Sequence, residues 1–257
     1  MKHFLTYLFI ALFALLVVSC KKDKDENGNG KVQLVKTITV SSYIHHQDNY
    51  CYDFEYDNKN SITCVRGKFE WGGNSYNADT LIYIRYSGDD LIKVEHYTNN
   101  GYYYFDTFIR EGNKIILEGG NTTIELNSDG YPIKTSNNFY TEILQYLDGN
   151  LVSIGWINSD FDRQSYKYDN KKSPFYYSKT PKWFHICYNI MFEGCDLGLF
   201  RSIKNNLIED IYRERDEGVL YEYISEWVYE YDANGFPTKG YRKNNNNDVV
   251  NYTFTYY

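Results

Sequence analysis

The chain has 257 residues, 19% of them aromatic, and carries a formal net charge of −7. An acidic chain lacks the basic surface that binds phosphate backbones, which excludes nucleic acid as a partner. Tyrosine accounts for 29 residues and methionine for only 2. A ring with a polar tip suits a half-buried pleated surface, so this composition favours strands over a helical bundle.

The first twenty residues read MKHFLTYLFIALFALLVVSC. After Lys2, the apolar run from Phe4 to Val18 covers about 15 residues, fewer than the roughly 20 of a transmembrane helix. This pattern predicts a signal peptide over residues 1–19. The ending LVVSC resembles the lipobox of bacterial lipoproteins, which implies cleavage before Cys20 and attachment of a membrane lipid to its thiol. The alternative is an ordinary signal peptide with a chance cysteine.

Residues 20–31 are predicted to form a flexible acidic tether. The stretch KKDKDENGNGK is charged and has no large apolar group, so it cannot bury enough surface to fold. As a flexible coil it would reach on the order of 20 Å. An acidic run after a lipidated cysteine resembles the surface-export signal of Bacteroidetes-type lipoproteins. This resemblance implies an outer-membrane lipoprotein at the cell surface; a spacer facing the periplasm is the alternative.

Residues 32–257 are predicted to form one β domain made of repeated hairpins. In each repeat, a strand with alternating aromatic residues is followed by residues that tolerate positive φ. The predicted turns lie at residues 57–60, 87–90, 112, 119–120, 129–130, 148–150, 169 and 232–235. No helical run of ten or more residues separates these turns, so the strands are expected to be antiparallel.

About fourteen to sixteen strands in series are more than an open twisted sheet usually holds, and an open edge invites aggregation. We therefore predict an all-β, antiparallel, up-and-down meander that closes into a barrel or a barrel-like clam. Charged residues on the predicted strands, such as Arg85, Lys93, Glu95 and Arg110, interrupt the apolar band of a membrane barrel. A lipidated, water-soluble barrel is the expectation.

Residues 178–215 depart from the hairpin pattern and predict one long loop excursion, with a strand at 207–212. Long loops on a rigid scaffold often carry function. We expect the excursion to pack over one end of the barrel or inside its lumen. A plug that simply fills the interior is the alternative.

Two segments carry a family resemblance: VYEYDANGFPTKGY at 228–241 and KKSPFYY at 171–177. They resemble a Bacteroidetes lipoprotein family of unknown function with a porin-like fold, over roughly residues 50–257. The resemblance implies a barrel-like shape and no established activity. It supplies no catalytic residue.

The sequence has no nucleophile elbow, phosphate loop or metalloprotease motif, and no cysteine spacing typical of zinc sites. We therefore expect no catalytic residue, metal or cofactor, and no enzymatic activity. The leading hypothesis is a binding module for a glycan or a protein. The alternatives are a periplasm-facing scaffold lipoprotein and a hydrolase with a site in the barrel mouth.

Aromatic residues at loop tips would stack on sugar rings. The candidates for such stacking are Trp71, Trp156, Trp183 and the run Tyr102, Tyr103 and Tyr104. The alternative is that these rings pack in the interior or across strands.

Four further cysteines follow Cys20. An extracytoplasmic location permits disulfides, so Cys51 with Cys64 and Cys187 with Cys195 are candidate pairs. Free thiols are the alternative.

Overall fold

The structure, a computed structural model, describes residues 32–42, 49–70, 80–98, 101, 103–119, 121–159, 161–188, 201–245 and 248–257. It contains sixteen strands, all within the compact unit Gln33–Tyr257. The strands are β1 Val35–Ser42, β2 Asn49–Tyr56, β3 Ile62–Glu70, β4 Thr80–Ser87, β5 Asp90–Thr98, β6 Tyr103–Glu111, β7 Lys114–Leu117, β8 Thr122–Leu126, β9 Pro132–Ser136, β10 Thr141–Leu147, β11 Asn150–Trp156, β12 Gln164–Lys172, β13 Asn205–Asp216, β14 Val219–Tyr231, β15 Pro237–Asn244 and β16 Val249–Tyr256. Helix α1, Lys182–Cys187, lies between β12 and β13.

The sixteen strands form a closed barrel in which each strand pairs with its neighbours in sequence and β1 pairs with β16. All of these pairings are antiparallel. At the seam, Ile38 lies opposite Phe254 and Val40 lies opposite Tyr252. Closure leaves no open edge for another chain to pair with. The predicted antiparallel meander closing into a barrel is confirmed.

Side chains alternate between the interior and the outer wall with the period of two that strands impose. Inward residues from strands all around the barrel and from α1 form one continuous buried hydrophobic cluster. The outer wall instead carries cross-strand ion pairs. Examples are Arg66 with Glu55 at 3.0 Å, Arg85 with Glu95 at 2.8 Å and Arg213 with Glu222 at 2.7 Å.

Most predicted turns are present, and side-chain caps explain their positions. Asp232 Oδ1 accepts hydrogen bonds from the N–H groups of Asn234 and Phe236, at 2.8 and 2.9 Å. Gly235 then adopts a φ of +82°, which favours glycine. Asn127 Oδ1 holds the β8–β9 turn in the same way.

The turn predicted near Asp169 is wrong, because β12 runs through this residue to Lys172. Asp169 Oδ1 does accept the N–H of Lys171 at 2.9 Å, as in a turn. The same oxygen also accepts a hydrogen bond, at 3.1 Å, from the N–H of Asn206 on the neighbouring strand β13. The turn chemistry therefore produces a register shift between β12 and β13 and no chain reversal.

A long excursion is present, but its boundaries differ from the prediction. It lies between the end of β12 and the start of β13, and residues 189–200 within it are outside the described part of the chain. The strand predicted at 207–212 exists and is longer, since β13 covers Asn205–Asp216. The last part of the predicted excursion, residues 205–215, is therefore barrel wall.

One end of the barrel, here called the turn rim, carries the β2–β3, β4–β5, β8–β9 and β14–β15 turns and the excursion. Lys59 of the β2–β3 turn pairs with Asp89 of the β4–β5 turn at 2.8 Å. Gln33, before β1, donates to Asp232 at 3.2 Å, so the chain enters the barrel at this rim. The opposite end, the far rim, carries the β5–β6 and β13–β14 connections.

Candidate functional site

Helix α1 lies inside the barrel. Its side chains Trp183, Phe184 and Ile186 are all buried. The ring of Trp183 lies 5.1 Å from that of Phe108 on β6, and Phe175, upstream of the helix, lies 5.6 Å from Phe54 on β2. Because β2 and β6 are separated by three strands, this segment bridges the interior between two parts of the wall.

A buried polar chain connects the segment to the wall just after α1. His96 Nε2 on β5 lies 3.1 Å from Tyr188 Oη, and Tyr188 donates a hydrogen bond to Asp106 on β6. Tyr104 stacks on the imidazole with ring centroids 4.1 Å apart. Burial lowers the pKa of His96 to about 4, although the charge of Asp106 acts in the opposite direction. The imidazole is therefore neutral at pH 7.

A second polar cluster lines the interior where β10, β12 and Arg201 meet. Arg163 Nη1 donates to Glu142 Oε1 at 2.9 Å, and Arg201 Nη1 donates to Gln164 Oε1 at 3.2 Å. Nearby, burial raises the pKa of the Cys187 thiol to about 12, so this thiol is neutral and unreactive at neutral pH. These contacts join the excursion to the barrel wall.

The outer wall of β4, β5 and β6 carries four neighbouring aromatic rings, here called the aromatic stripe. The ring centroids of consecutive members are 5.9, 4.8 and 5.9 Å apart. The stripe consists of Tyr83, Tyr97, Tyr103 and Phe105. The last three are 37%, 44% and 52% exposed. A contiguous exposed aromatic surface of this kind commonly marks an interaction site.

Charged groups are interleaved with the aromatic stripe. Glu95 accepts from Arg85 at 2.8 Å and from Lys93 at 3.0 Å, and these hydrogen bonds lower the pKa of its carboxyl group. Lys93 Nζ lies 4.3 Å from the centroid of Phe105, and Arg85 lies 5.0 Å from that of Tyr83. The surface therefore offers ring faces next to hydrogen-bond donors and acceptors.

The predicted stacking residues do not come together in one site. Trp71 and Tyr102 lie outside the described residues. Tyr103 lies in the aromatic stripe, whereas Tyr104 stacks on His96 in the interior. Trp156 is 46% exposed, lies beside a pocket of about 410 Å³, and has the guanidinium of Arg163 at 5.2 Å from its ring. Trp183 is 2% exposed inside the barrel, as in the packing alternative. Cys20 also lies outside the described residues.

The disulfide between Cys51 and Cys64 is not formed. The hairpin register explains this, because Cys51 lies opposite Lys68 and Cys64 lies opposite Glu55. Placement on either side of one turn was therefore not enough to bring the two thiols together. Cys187 carries a free thiol, and its candidate partner Cys195 lies outside the described residues.

Sequence reasoning named one member of the aromatic stripe, Tyr103, and missed the other three because it searched loop tips for exposed rings. The outward-facing residues of each strand could have revealed the stripe. On β5 these residues include Lys93, Glu95 and Tyr97, which combine charged and aromatic side chains. Strand register, which the sequence does not specify, aligns these sets across β4 to β6.

Within the described residues, no three His, Cys, Asp or Glu side chains form a group that could hold a metal ion. None of the helices in this part of the chain combines the length and apolar character needed to cross a membrane.

Known proteins provide no functional description that can be transferred to this chain. No protein-family model matches the chain, and no curated protein matches it. Among solved structures, the chain is similar to a porin-like protein from Bacteroides uniformis, with 13% identity and a TM-score of 0.44. The match covers 87% of this chain and 96% of that one.

Proposed function

We propose that the chain is a lipid-anchored, surface-exposed binding protein that holds a glycan on the aromatic stripe. The observation that carries this proposal is the set of four neighbouring rings on the outer wall, three of them more than one-third exposed. The faces of aromatic rings carry partial negative charge, and the C–H groups of a sugar ring carry partial positive charge, so the two stack favourably. Glu95 and its two basic partners would hydrogen-bond to sugar hydroxyls.

The outer wall and the interior both favour a water-exposed barrel over a conducting pore. A lipid-facing wall needs a continuous apolar band, whereas Arg66, Lys134 and Arg213 each form an ion pair with a neighbouring strand here. The segment 173–188 fills space in the lumen with aromatic side chains that belong to the hydrophobic cluster. Both features support a barrel that acts through its surface.

The topology separates the proposed binding surface from the start of the barrel domain. The domain begins at the turn rim, where Gln33 contacts Asp232. Tyr97 is next to the last residue of β5 and Tyr103 is the first residue of β6, which places the upper part of the stripe at the far rim. The upper part of the proposed binding surface therefore lies at the opposite end of the barrel from the start of the domain.

A glycan array probed with the purified full chain tests the binding proposal. We expect selective signals, and we expect Tyr97→Ala/Tyr103→Ala/Phe105→Ala to weaken them at least about tenfold, because three stacking faces are lost. The matched control Phe139→Ala/Tyr140→Ala/Tyr241→Ala removes three exposed rings elsewhere and should leave the signals unchanged. A blank array, or equal losses in the two variants, would contradict the glycan and point to a protein partner.

Protease shaving of intact cells tests the location. We expect external proteinase K to remove the barrel domain, and Cys20→Ala to abolish labelling of the chain with radioactive palmitate. Protection of the domain in intact cells, with digestion after lysis, would overturn surface exposure and support the periplasm-facing scaffold. Palmitate labelling that persists in the Cys20→Ala variant would overturn the anchor.

We propose no enzymatic activity for this barrel. In a hydrolase, the inward-facing carboxylates Glu142 and Asp106 would be natural candidates for catalytic residues. Each is engaged by neighbours: Glu142 accepts from Arg163 and Thr135, and Asp106 accepts from Tyr188. These contacts support structural roles for the two carboxylates.

A further inference from the structure

A second candidate site lies at the turn rim, on a different part of the barrel from the aromatic stripe. Residues 178–183 form part of a pocket of about 460 Å³. Leu126 and Trp183 give it an apolar floor, and the rings of Tyr131 and Tyr176 form part of its walls. Pockets of this size suit a small-molecule ligand or a lipid headgroup.

The walls of the pocket are held in place by three hydrogen bonds to two parts of the rim, the β2–β3 turn and the β8–β9 turn. Lys179 N donates to Asn60 O at 2.9 Å, and Ile62 N donates to Thr180 Oγ1 at 2.8 Å. Lys182 Nζ donates to Asp129 O at 3.0 Å. The pocket is therefore formed before any ligand arrives, which reduces the entropy that binding costs.

The pocket is basic although the chain as a whole is acidic. Its charged lining consists of Arg110, Lys179, Lys182, Lys204, Asp89 and Asp129. Arg110 and Asp89 are each paired outside the pocket, with Asp90 and Lys59, both at 2.8 Å. Across the described residues, the three lysines form no ion pair. Their charges therefore favour an anionic ligand.

Lys182 is the most constrained of the three lysines. Its ammonium lies 3.8 Å from the centroid of the Tyr131 ring, and burial lowers its pKa. A partly dehydrated cation interacts more strongly with an anion than one in bulk water, because the local dielectric constant is lower. The position of Lys182 beside an aromatic ring also suits a ligand with a ring next to its anionic group.

We propose that this pocket binds a phosphate monoester carried on a sugar-sized group. Lys179, Lys182 and Lys204 would neutralise the phosphate, and Tyr131 and Tyr176 would pack against the attached group. Asp129 offsets one of the three ammonium charges, which leaves a net charge of about +2. A phosphate monoester, at about −1.5 to −2 at pH 7, balances this charge better than a carboxylate ligand does. The source is either a free sugar phosphate or the headgroup of a membrane lipid.

Calorimetric titration of the full chain in non-ionic detergent at low salt, with glucose 6-phosphate as the probe, tests the site. We expect saturable binding that Lys179→Gln/Lys204→Gln weakens at least tenfold, without a change in Tm. The matched control Lys68→Gln/Lys243→Gln removes two exposed lysines from the outer wall and should change the affinity less than twofold. Glucose without phosphate should not bind.

Three results would overturn the proposal: no binding of glucose 6-phosphate, equal affinities in the two double variants, or equally tight binding of glucuronate. Repeating the titration with phosphatidic acid in the micelles distinguishes the sources. If phosphatidic acid competes with glucose 6-phosphate, the site is assigned to a lipid headgroup. If glucose 6-phosphate binds as tightly as before, the site is assigned to a free sugar phosphate. The site does not depend on the aromatic stripe, so failure of the glycan array leaves it standing.

Discussion

Phe184→Ala is expected to lower the free energy of unfolding by about 3–5 kcal/mol. Phe184 is fully buried in the lumen, where its ring stacks on Tyr188 with centroids 5.0 Å apart and meets Trp183 edge-on at 5.9 Å. Truncation removes these contacts and leaves a cavity that the rigid barrel wall cannot fill. Urea denaturation of the full chain, followed by tryptophan fluorescence, measures the change.

Phe139 provides the matched control, because the same substitution at this 92% exposed side chain removes no buried contact. Phe139→Ala should change the unfolding free energy by less than about 0.5 kcal/mol. A change below about 1 kcal/mol for Phe184→Ala would mean that the excursion does not occupy the lumen in solution.

The second large effect is a loss of stability in acid, caused by two buried histidines. Burial lowers the pKa values of His96 and His185 to about 4, from an ordinary value near 6.5. Between these values the unfolded chain binds more protons than the folded chain, so stability falls as pH falls. The free energy of unfolding is unaffected by these groups above pH 6.5 and falls between pH 6.5 and about pH 4. Over this range, each histidine lowers it by on the order of 3 kcal/mol.

Urea denaturation at pH values between 7 and 4.5 measures this dependence. His185 Nε2 is buried without a hydrogen-bond partner in the described part of the chain, so His185→Leu should preserve stability at pH 7 and flatten the pH curve. His96→Gln should flatten it as well, with some loss at pH 7 because of the contact with Tyr188. An unchanged slope in the double variant would show that other groups cause the acid sensitivity.

Much of the barrel could be predicted because its turns have local causes. The caps at Asn127 and Asp232 depend only on residues two to four positions away. Alternation along each strand likewise needs no distant partner. Closure followed from the number of strands and the cost of an open edge.

The errors arose where distant contacts decide the structure. Asp169 has the chemistry of a turn, but Asn206 on the next strand uses the same carboxylate. Trp183 belongs to a connection that turns inward, and no local pattern distinguishes this path from one over the surface. The aromatic stripe and the rim pocket combine residues from several strands and turns, so their composition depends on register and closure.

The pairing of β1 with β16 links residues at opposite ends of the domain sequence. Ile38 meets Phe254 only after the ribosome has made nearly the whole chain. Until then, the nascent barrel has two unsatisfied ladders of backbone donors and acceptors, and its folding is slowed by this long-range closure. A chaperone that covers these ladders until the seam closes would be needed more by this protein than by one whose strands pair only locally.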